Sequence, residues 1–323
     1  MEHIIATSND GSSTLQLTQF GEAYHSTNGA YTEATHIYIQ CGLEHLFHNI
    51  ASACTTEESS SCPMKETSSG TLKETSSGPS SATTGTPEIN IFDVGLGTGL
   101  NCILAWAWQQ QLRQKGLPYP RIHYWGIEKH PIPLSEIEQL NYPDIIAGHT
   151  GLLPDNLAEV FHFMHKCQWE ENVKVPGIPV MSLSGNKMVT MCAPNCSTSS
   201  SGECYREEDF VLHKTCADIA VLGAEYYRKA CCMEKNLCNT CHTFPAVVFY
   251  DTFSPATQPE LWDESIFRNI AEGCPAGSLL VTYCSKGSVK QALRNAGFTL
   301  ERLAGPPGKR HILRGTTIII APQ

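Results

Sequence analysis

Three things are scarce or missing in this chain. Nowhere in its 323 residues does an apolar run approach the roughly 20 residues a helix needs to cross a bilayer. The first residues, Met1-Glu2-His3, carry neither a basic segment followed by an apolar one nor an arginine-rich amphipathic pattern. No secretory or organellar leader is therefore expected, and the cytoplasm is the default compartment. Basic residues are outnumbered, 22 Lys and Arg against 32 Asp and Glu, giving a formal charge of -10 that argues against indiscriminate binding to nucleic acid. The deficit is uneven. From Ser285 onward seven basic residues (Lys286, Lys290, Arg294, Arg302, Lys309, Arg310 and Arg314) meet the single acid Glu301. Such an end could grip a phosphate-bearing partner, or it could be a solvated charged face.

The length allows one large or two modest domains with an ample core. Fifteen cysteines are many, but the number is odd, and eight of them crowd between Cys192 and Cys241. That distribution fits an inserted local feature better than a secreted disulfide framework. The segment 51–88 is rich in Ser, Thr and Gly and repeats Lys65-Glu66-Thr67-Ser68-Ser69-Gly70 as Lys73-Glu74-Thr75-Ser76-Ser77-Gly78. With almost nothing apolar to bury, it reads as a linker or surface loop. Before it, residues 1–50 read as a small β-rich lobe: Thr14-Leu15-Gln16-Leu17 and His36-Ile37-Tyr38-Ile39 alternate, and Asn28-Gly29 marks a turn.

After it, strand and helix patterns alternate through residues 89–323, interrupted by the Cys-rich insertion at about 180–244. Strands are expected at Ile89–Val94, Ile122–Ile127, Phe210–His213, Ala246–Tyr250 and Ser278–Tyr283. Helices are expected at Leu261–Ala271 and Val289–Asn295, and an antiparallel pair (Phe298–Leu303 and His311–Ile320) at the end. Alternating βα units predict a doubly wound, mostly parallel sheet with ligands at the carboxyl ends of its strands.

The most informative run is Ile89-Asn90-Ile91-Phe92-Asp93-Val94-Gly95-Leu96-Gly97-Thr98-Gly99-Leu100-Asn101. A buried strand leads into three glycines spaced two apart, and a helical pattern follows from Cys102 to Trp108. Backbone without side chains lets a ligand approach the free N–H groups at the helix start, or the glycines form no more than a tight turn. The spacing is neither the G-x-G-x-x-G of dinucleotide binders nor that of a P-loop. With Asp93 before it, the run suits a cleft for S-adenosylmethionine. Three acids stand at or just after later strands. Glu128 could accept both hydroxyls of a ribose or be a surface acid. Asp218 could accept from an adenine amine or cap a helix. Asp251, in Asp251-Thr252-Phe253-Ser254-Pro255, could orient an attacking amine and take its proton, with Phe253 stacking on a base, or it too could be an N-cap.

Four segments in register resemble a known family: Gly21-Glu22-Ala23-Tyr24-His25-Ser26-Thr27-Asn28-Gly29-Ala30, Phe92 to Asn101, Asp251 to Ala256 with Pro259-Glu260-Leu261-Trp262, and Gly305-Pro306-Pro307-Gly308-Lys309-Arg310-His311. The chain is similar here to the tRNA 5-methylaminomethyl-2-thiouridine methyltransferases, both the stand-alone MnmD proteins and the N-terminal half of the bifunctional MnmC enzymes. The resemblance spans residues 12–50 and 89–323 apart from the insertions. It implies a class I S-adenosylmethionine-dependent methyltransferase fold, Rossmann-like, with an antiparallel C-terminal strand. It implies methylation of the 5-aminomethyl group of a tRNA wobble uridine, with tRNA as partner and no FAD, which serves the separate oxidase half. By resemblance, Asp93, Gly95, Gly97, Thr98 and Gly99 line the cofactor loop, Glu128 holds the ribose and Asp218 sits near the adenine. Asp251 faces the amine beside Phe253, Tyr24 and Asn28 face the cleft, and Lys309 and Arg310 contact phosphate.

Two departures stand out, the Ser/Thr-rich segment and the cysteines. Cys192 and Cys196 with Cys238 and Cys241 could supply four zinc ligands, although the spacing matches no standard finger.

Overall fold

The computed structural model describes residues 3–19, 21–56, 86–178, 181–184, 187–190, 209–232 and 243–318. Strands β1 (His3–Thr7) and β2 (Ser13–Leu17) pair antiparallel as a hairpin of their own. A helical rod follows, made of α1 (Ala30–Ala34), a wider π-helical stretch (Thr35–Glu44) and α2 (His45–Thr56).

The rod overturns the expected strand at His36–Ile39, and with it the β-rich description of residues 1–50. Four alternating residues cannot decide between strand and helix, and here packing decided. Ile37, Tyr38 and Ile39 are all buried, which a strand with one covered face would not allow. The rod lies on the main sheet, where the Tyr38 and Phe249 rings sit 5.4 Å apart. Gly42 permits the close approach, since a Cβ there would come within 2.9 Å of Val281 Cγ2. The rod also runs into the segment read as a linker. Residues 57–85, which carry the sequence repeat, lie outside the described residues.

The rest alternates as expected: β3 (Glu88–Val94), α3 (Leu100–Gln114), β4 (Arg121–Glu128), then three helices with no counterpart in the sequence reading, α4 (Leu134–Ile137), α5 (Tyr142–Thr150) and α6 (Pro154–Lys166). Next come β5 (Asn172–Lys174), a hairpin of β6 (Met181–Ser184) and β7 (Lys187–Thr190), β8 (Phe210–Cys216), α7 (Ala224–Cys231), β9 (Ala246–Tyr250), α8 (Glu264–Gly273), β10 (Leu279–Thr282), α9 (Gly287–Asn295), β11 (Phe298–Ala304) and β12 (His311–Thr317). The helix expected from Leu261 starts later. Pro259–Trp262 forms a 3-10 turn, and the Asp263 side chain then caps α8 by accepting from the Ser265 N–H at 2.8 Å.

Eight strands form one sheet in the order β11-β12-β10-β9-β3-β4-β8-β5. Neighbours from β10 to β8 pair parallel, β5 pairs antiparallel with β8, and β12 pairs antiparallel with both β10 and β11. β3 and β9 are wholly buried from their second and first residues, as strands covered on both faces must be. One core (Ile37, Trp106, Tyr124, Phe249) packs under the N-terminal rod, α3 and α6. The other (Phe92, Tyr227, Phe267, Leu293) packs under α7, α8 and α9. Strand order reverses between β3 and β9, so the loops after those two strands flank the crevice where such sheets bind ligands. Among the described residues no helix is long and apolar enough to cross a membrane.

Candidate active site

The ends of β3 and β9 lie side by side. Val94 pairs with Tyr250, and the Asp251 N–H donates to the Val94 carbonyl at 3.1 Å. The glycine turn leaves β3 at this point. Gly95 has φ +93°, and a Cβ on it would stand 2.7 Å from the Asp251 carbonyl oxygen, so backbone meets backbone where a side chain cannot fit. Gly97, at φ +49°, lies under the Tyr24 ring, 2.9 Å from where its Cβ would be.

An open cleft of about 990 Å³, mouth included, lies over this turn. Its lining brings together Tyr24, Gly95, Gly97, Glu128, Asp218, Asp251 and Phe253 from five separate stretches of chain. Thr98 and Gly99 stand behind the lining, and Asp93 lies deeper. The Asp93 carboxylate is fully buried, accepts from Tyr124 Oη at 2.5 Å and approaches Asn101 Nδ2 at 3.5 Å, so it supports the turn from below. Burial pushes its pKa well above the ordinary carboxylate range.

Glu128 accepts from the Gly97 N–H at 3.0 Å and the His130 N–H at 2.8 Å, bonds that hold the carboxylate at the cleft wall. Burial raises its pKa, and those N–H groups oppose the rise. Asp218 takes the capping role left open by the sequence. It accepts from the Ala220 N–H at 2.9 Å and pairs with Lys129 Nζ at 2.7 Å while still lining the cleft.

Asp251 is the central group. Its side chain is 9% exposed, accepts from Asn101 Nδ2 at 3.0 Å and stands 3.9 Å from His25 Nδ1. Burial raises its pKa, opposed by Tyr38, Asn101 and Lys309. The loop after it is pinned on three sides. Trp262 Nε1 donates to the Phe253 carbonyl at 2.9 Å, and Tyr283 Oη donates to the Thr252 carbonyl at 2.9 Å. The Glu22 carboxylate accepts from the Ser254 N–H at 3.0 Å and from the Thr257 hydroxyl. Phe253 meets the Tyr24 ring edge-on at 5.0 Å.

The remaining expected residues are dispersed. Lys309 turns inward to pair with Glu33 and to lie 4.5 Å over the Tyr283 ring, so its charge is already neutralised. Asn28 packs against Gly308, and Arg310 is exposed on the hairpin turn. Among the described residues no three His, Cys, Asp or Glu side chains gather as a metal site. Cys192, Cys196, Cys238 and Cys241 lie outside the described residues.

Three side chains around the Asp251 loop and the glycine turn escaped the sequence reading: Glu22, His25 and Asn101. Each sits inside a motif that had been singled out, within three residues of a named position, and only the fold reveals which way it faces. Two neutral imidazoles clasp the turn. His25 Nε2 lies 2.7 Å from Thr98 Oγ1, and the His165 ring lies against Gly99. Burial holds both pKa values down to about 4.

The sign of their pH effect follows. As pH falls from about 6.5 to about 4 the unfolded chain binds protons that the folded chain refuses, so stability present above 6.5 is lost across that window. At about 1.4 kcal/mol per pKa unit, each histidine accounts for about 3 kcal/mol when its shift is fully expressed. The raised carboxylates oppose part of this. Urea midpoints of the wild type and His165→Gln should therefore converge, or cross in favour of the variant, between pH 7 and pH 5. A constant gap would refute the assignment.

Comparison with known proteins bears on the fold. Residues 229–318 match a family described as S-adenosyl-L-methionine-dependent methyltransferase. The chain is 26% identical over 226 residues to the tRNA 5-methylaminomethyl-2-thiouridine biosynthesis bifunctional protein MnmC of Cupriavidus necator, covering 70% of this chain and 26% of that protein. It is 23% identical over 300 residues to MnmC of an Azoarcus species, covering 92% of this chain and 33% of that protein. The crystal structure of MNMC2 from Aquifex aeolicus superposes with a TM-score of 0.54 at 21% identity, over 99% of this chain and 72% of that one. The chain thus spans about a quarter to a third of the length of the curated relatives it matches. The resemblance read from four motifs is borne out, and the fold is that of the S-adenosylmethionine-dependent methyltransferases.

Proposed function

We propose that this chain methylates the 5-aminomethyl nitrogen of a wobble uridine in tRNA, giving 5-methylaminomethyluridine or its 2-thio form. The observation that carries the reading is the placement of Asp251: a buried carboxylate beside Gly95, in the cleft that Glu128 and Phe253 also line. The residues present fit S-adenosylmethionine, since Gly95 and Gly97 line the cleft with bare backbone and Glu128 offers a carboxylate one strand away. When bound, that group supplies an electrophilic methyl on a sulfonium.

An amine is protonated and unreactive at neutral pH. The Asp251 carboxylate attracts the cation, accepts its proton and leaves the nitrogen lone pair free, so one N–C bond forms as one C–S bond breaks. Asn101 holds one carboxylate oxygen, which restricts the direction in which the amine can dock. Phe253 offers a ring face for the base, with the Tyr24 ring edge-on beside it, and the loop pinned by Trp262, Tyr283 and Glu22 keeps Phe253 in place.

The test is nucleoside mass spectrometry of tRNA bearing 5-aminomethyluridine after incubation with the protein and S-adenosylmethionine. One added methyl on that nucleoside is expected. Unchanged tRNA together with methylation of a small free amine would shift the substrate away from RNA.

A further inference from the structure

The N-terminal motif places a histidine between the glycine turn and the carboxylate, with Nε2 toward Thr98 and Nδ1 toward Asp251. Tyr142 Oη donates to Thr98 Oγ1 at 3.1 Å. That bond leaves the Thr98 hydroxyl hydrogen free to point at His25 Nε2, which lies 2.7 Å from Thr98 Oγ1. His25 is buried away from water, and a neutral ring with Nε2 accepting must carry its hydrogen on Nδ1. Nδ1 is the atom that faces Asp251 Oδ2, at 3.9 Å. The backbone N–H of His25 is also tied down, donating to Thr14 Oγ1 at 3.1 Å, so the ring cannot swing freely.

We infer that His25 is a positioning residue for the proposed methyl transfer: the Tyr142–Thr98 chain sets the tautomer with the hydrogen on Nδ1, and that N–H steers Asp251 through Oδ2, the oxygen that Asn101 also holds. The inference rests on the functional reading given above. Catalytic hydrogen bonds are often long before substrates arrive, and a movement of about 1 Å brings Nδ1–H into bonding range. Thr98 lies in the turn that receives the cofactor, so His25 links the filling of that turn to the aim of the carboxylate on the opposite strand.

Other charged or titratable groups press on Asp251 from each side. Tyr38 approaches from the N-terminal rod, Asp93 from β3 and Tyr142 from α5. Tyr283 approaches from the end of β10, and Lys309 from the hairpin turn, already paired with Glu33. Of these, Lys309 is the cation, and Asn101 and His25 bring N–H groups to the carboxylate. Loss of the His25 donor should leave the charged form of Asp251 less supported.

Two variants separate this role from simple packing. His25→Asn keeps an N–H near the position of Nδ1 and loses the bond to Thr98. His25→Gln keeps a partner for Thr98 near the position of Nε2 and loses the donor toward Asp251. The inference expects His25→Gln to lower kcat by up to about 10²-fold, the cost of about 1 Å of misplacement. KM for S-adenosylmethionine should stay within about twofold, and the acidic limb of the kcat profile should move to higher pH. His25→Asn should retain clearly more kcat than His25→Gln. Wild-type kcat and limb in His25→Gln, or equal losses in both variants carried by KM for S-adenosylmethionine, would overturn it. A readout without turnover stands beside these: 13C NMR titration of carboxyl-labelled aspartate, with Asp251 assigned by Asp251→Asn. Its pKa should rise in His25→Gln, and an unchanged value overturns the inference. If the wild type fails to methylate RNA, the functional reading falls and the titration alone judges His25.

Discussion

Asp251→Asn is expected to make the protein more stable at neutral pH and nearly inactive. Asparagine still accepts from Asn101, and it fills the same space, so the cleft keeps its shape. It cannot take a proton from an ammonium, and proton transfer by a placed side chain contributes about 10²–10⁴-fold in rate. The stability effect runs the other way. Burial raises the Asp251 pKa above its unfolded value, so the folded state favours the protonated form, and this group's contribution is fully present below the unfolded pKa and lost as pH rises. At pH 7 the wild type holds a poorly solvated charge that the variant lacks. Thermal melts should show a higher Tm for Asp251→Asn at pH 7, with the gap closing toward pH 4. A lower Tm at pH 7 would mean that the neighbours more than compensate the carboxylate, and retained turnover would remove it from the chemistry.

Gly97→Arg should abolish S-adenosylmethionine binding, with affinity lower by at least about 10²-fold, or about 2.7 kcal/mol at about 1.4 kcal/mol per tenfold. Two effects combine. The backbone at φ +49° is unfavourable for a residue with a Cβ, and the first atom of any side chain would press on the Tyr24 ring. The long guanidinium then has the cleft as its exit, where Glu128 and Asp218 attract it. Titration calorimetry reads the result directly, with Asp251→Asn as the matched control that should bind within a few-fold of the wild type. Ordinary binding heat from Gly97→Arg would place the cofactor elsewhere.

Much of this was legible because parallel sheets announce themselves. Buried strands such as Ala246–Tyr250 are apolar throughout, and each ends on a residue whose polarity breaks the run, so Glu128 and Asp251 stood out as strand ends facing the cleft. The N-terminal rod was not legible. His36–Ile39 has no internal sign of whether it lies along a sheet edge or across a sheet face, and contact with Phe249 and Val281, over two hundred residues away, settled the matter. The basic end misled in part for a similar reason. Lys309 reads as a surface charge until the fold delivers Glu33 and Tyr283 beneath it. His25 stayed hidden because its value depends on the orientation of Thr98 and Asp251, which the chain supplies from two other strand ends.

The clamp between Glu22 and Ser254 joins positions 232 residues apart, and Glu33 meets Lys309 across 276. The Glu22 and Glu33 carboxylates therefore wait for partners more than two hundred positions further along the chain before they are satisfied. Loop closure over such spans is slow and comes after local structure. A translation product halted before Lys309 would hold most of the sheet yet lack part of the wall around Asp251.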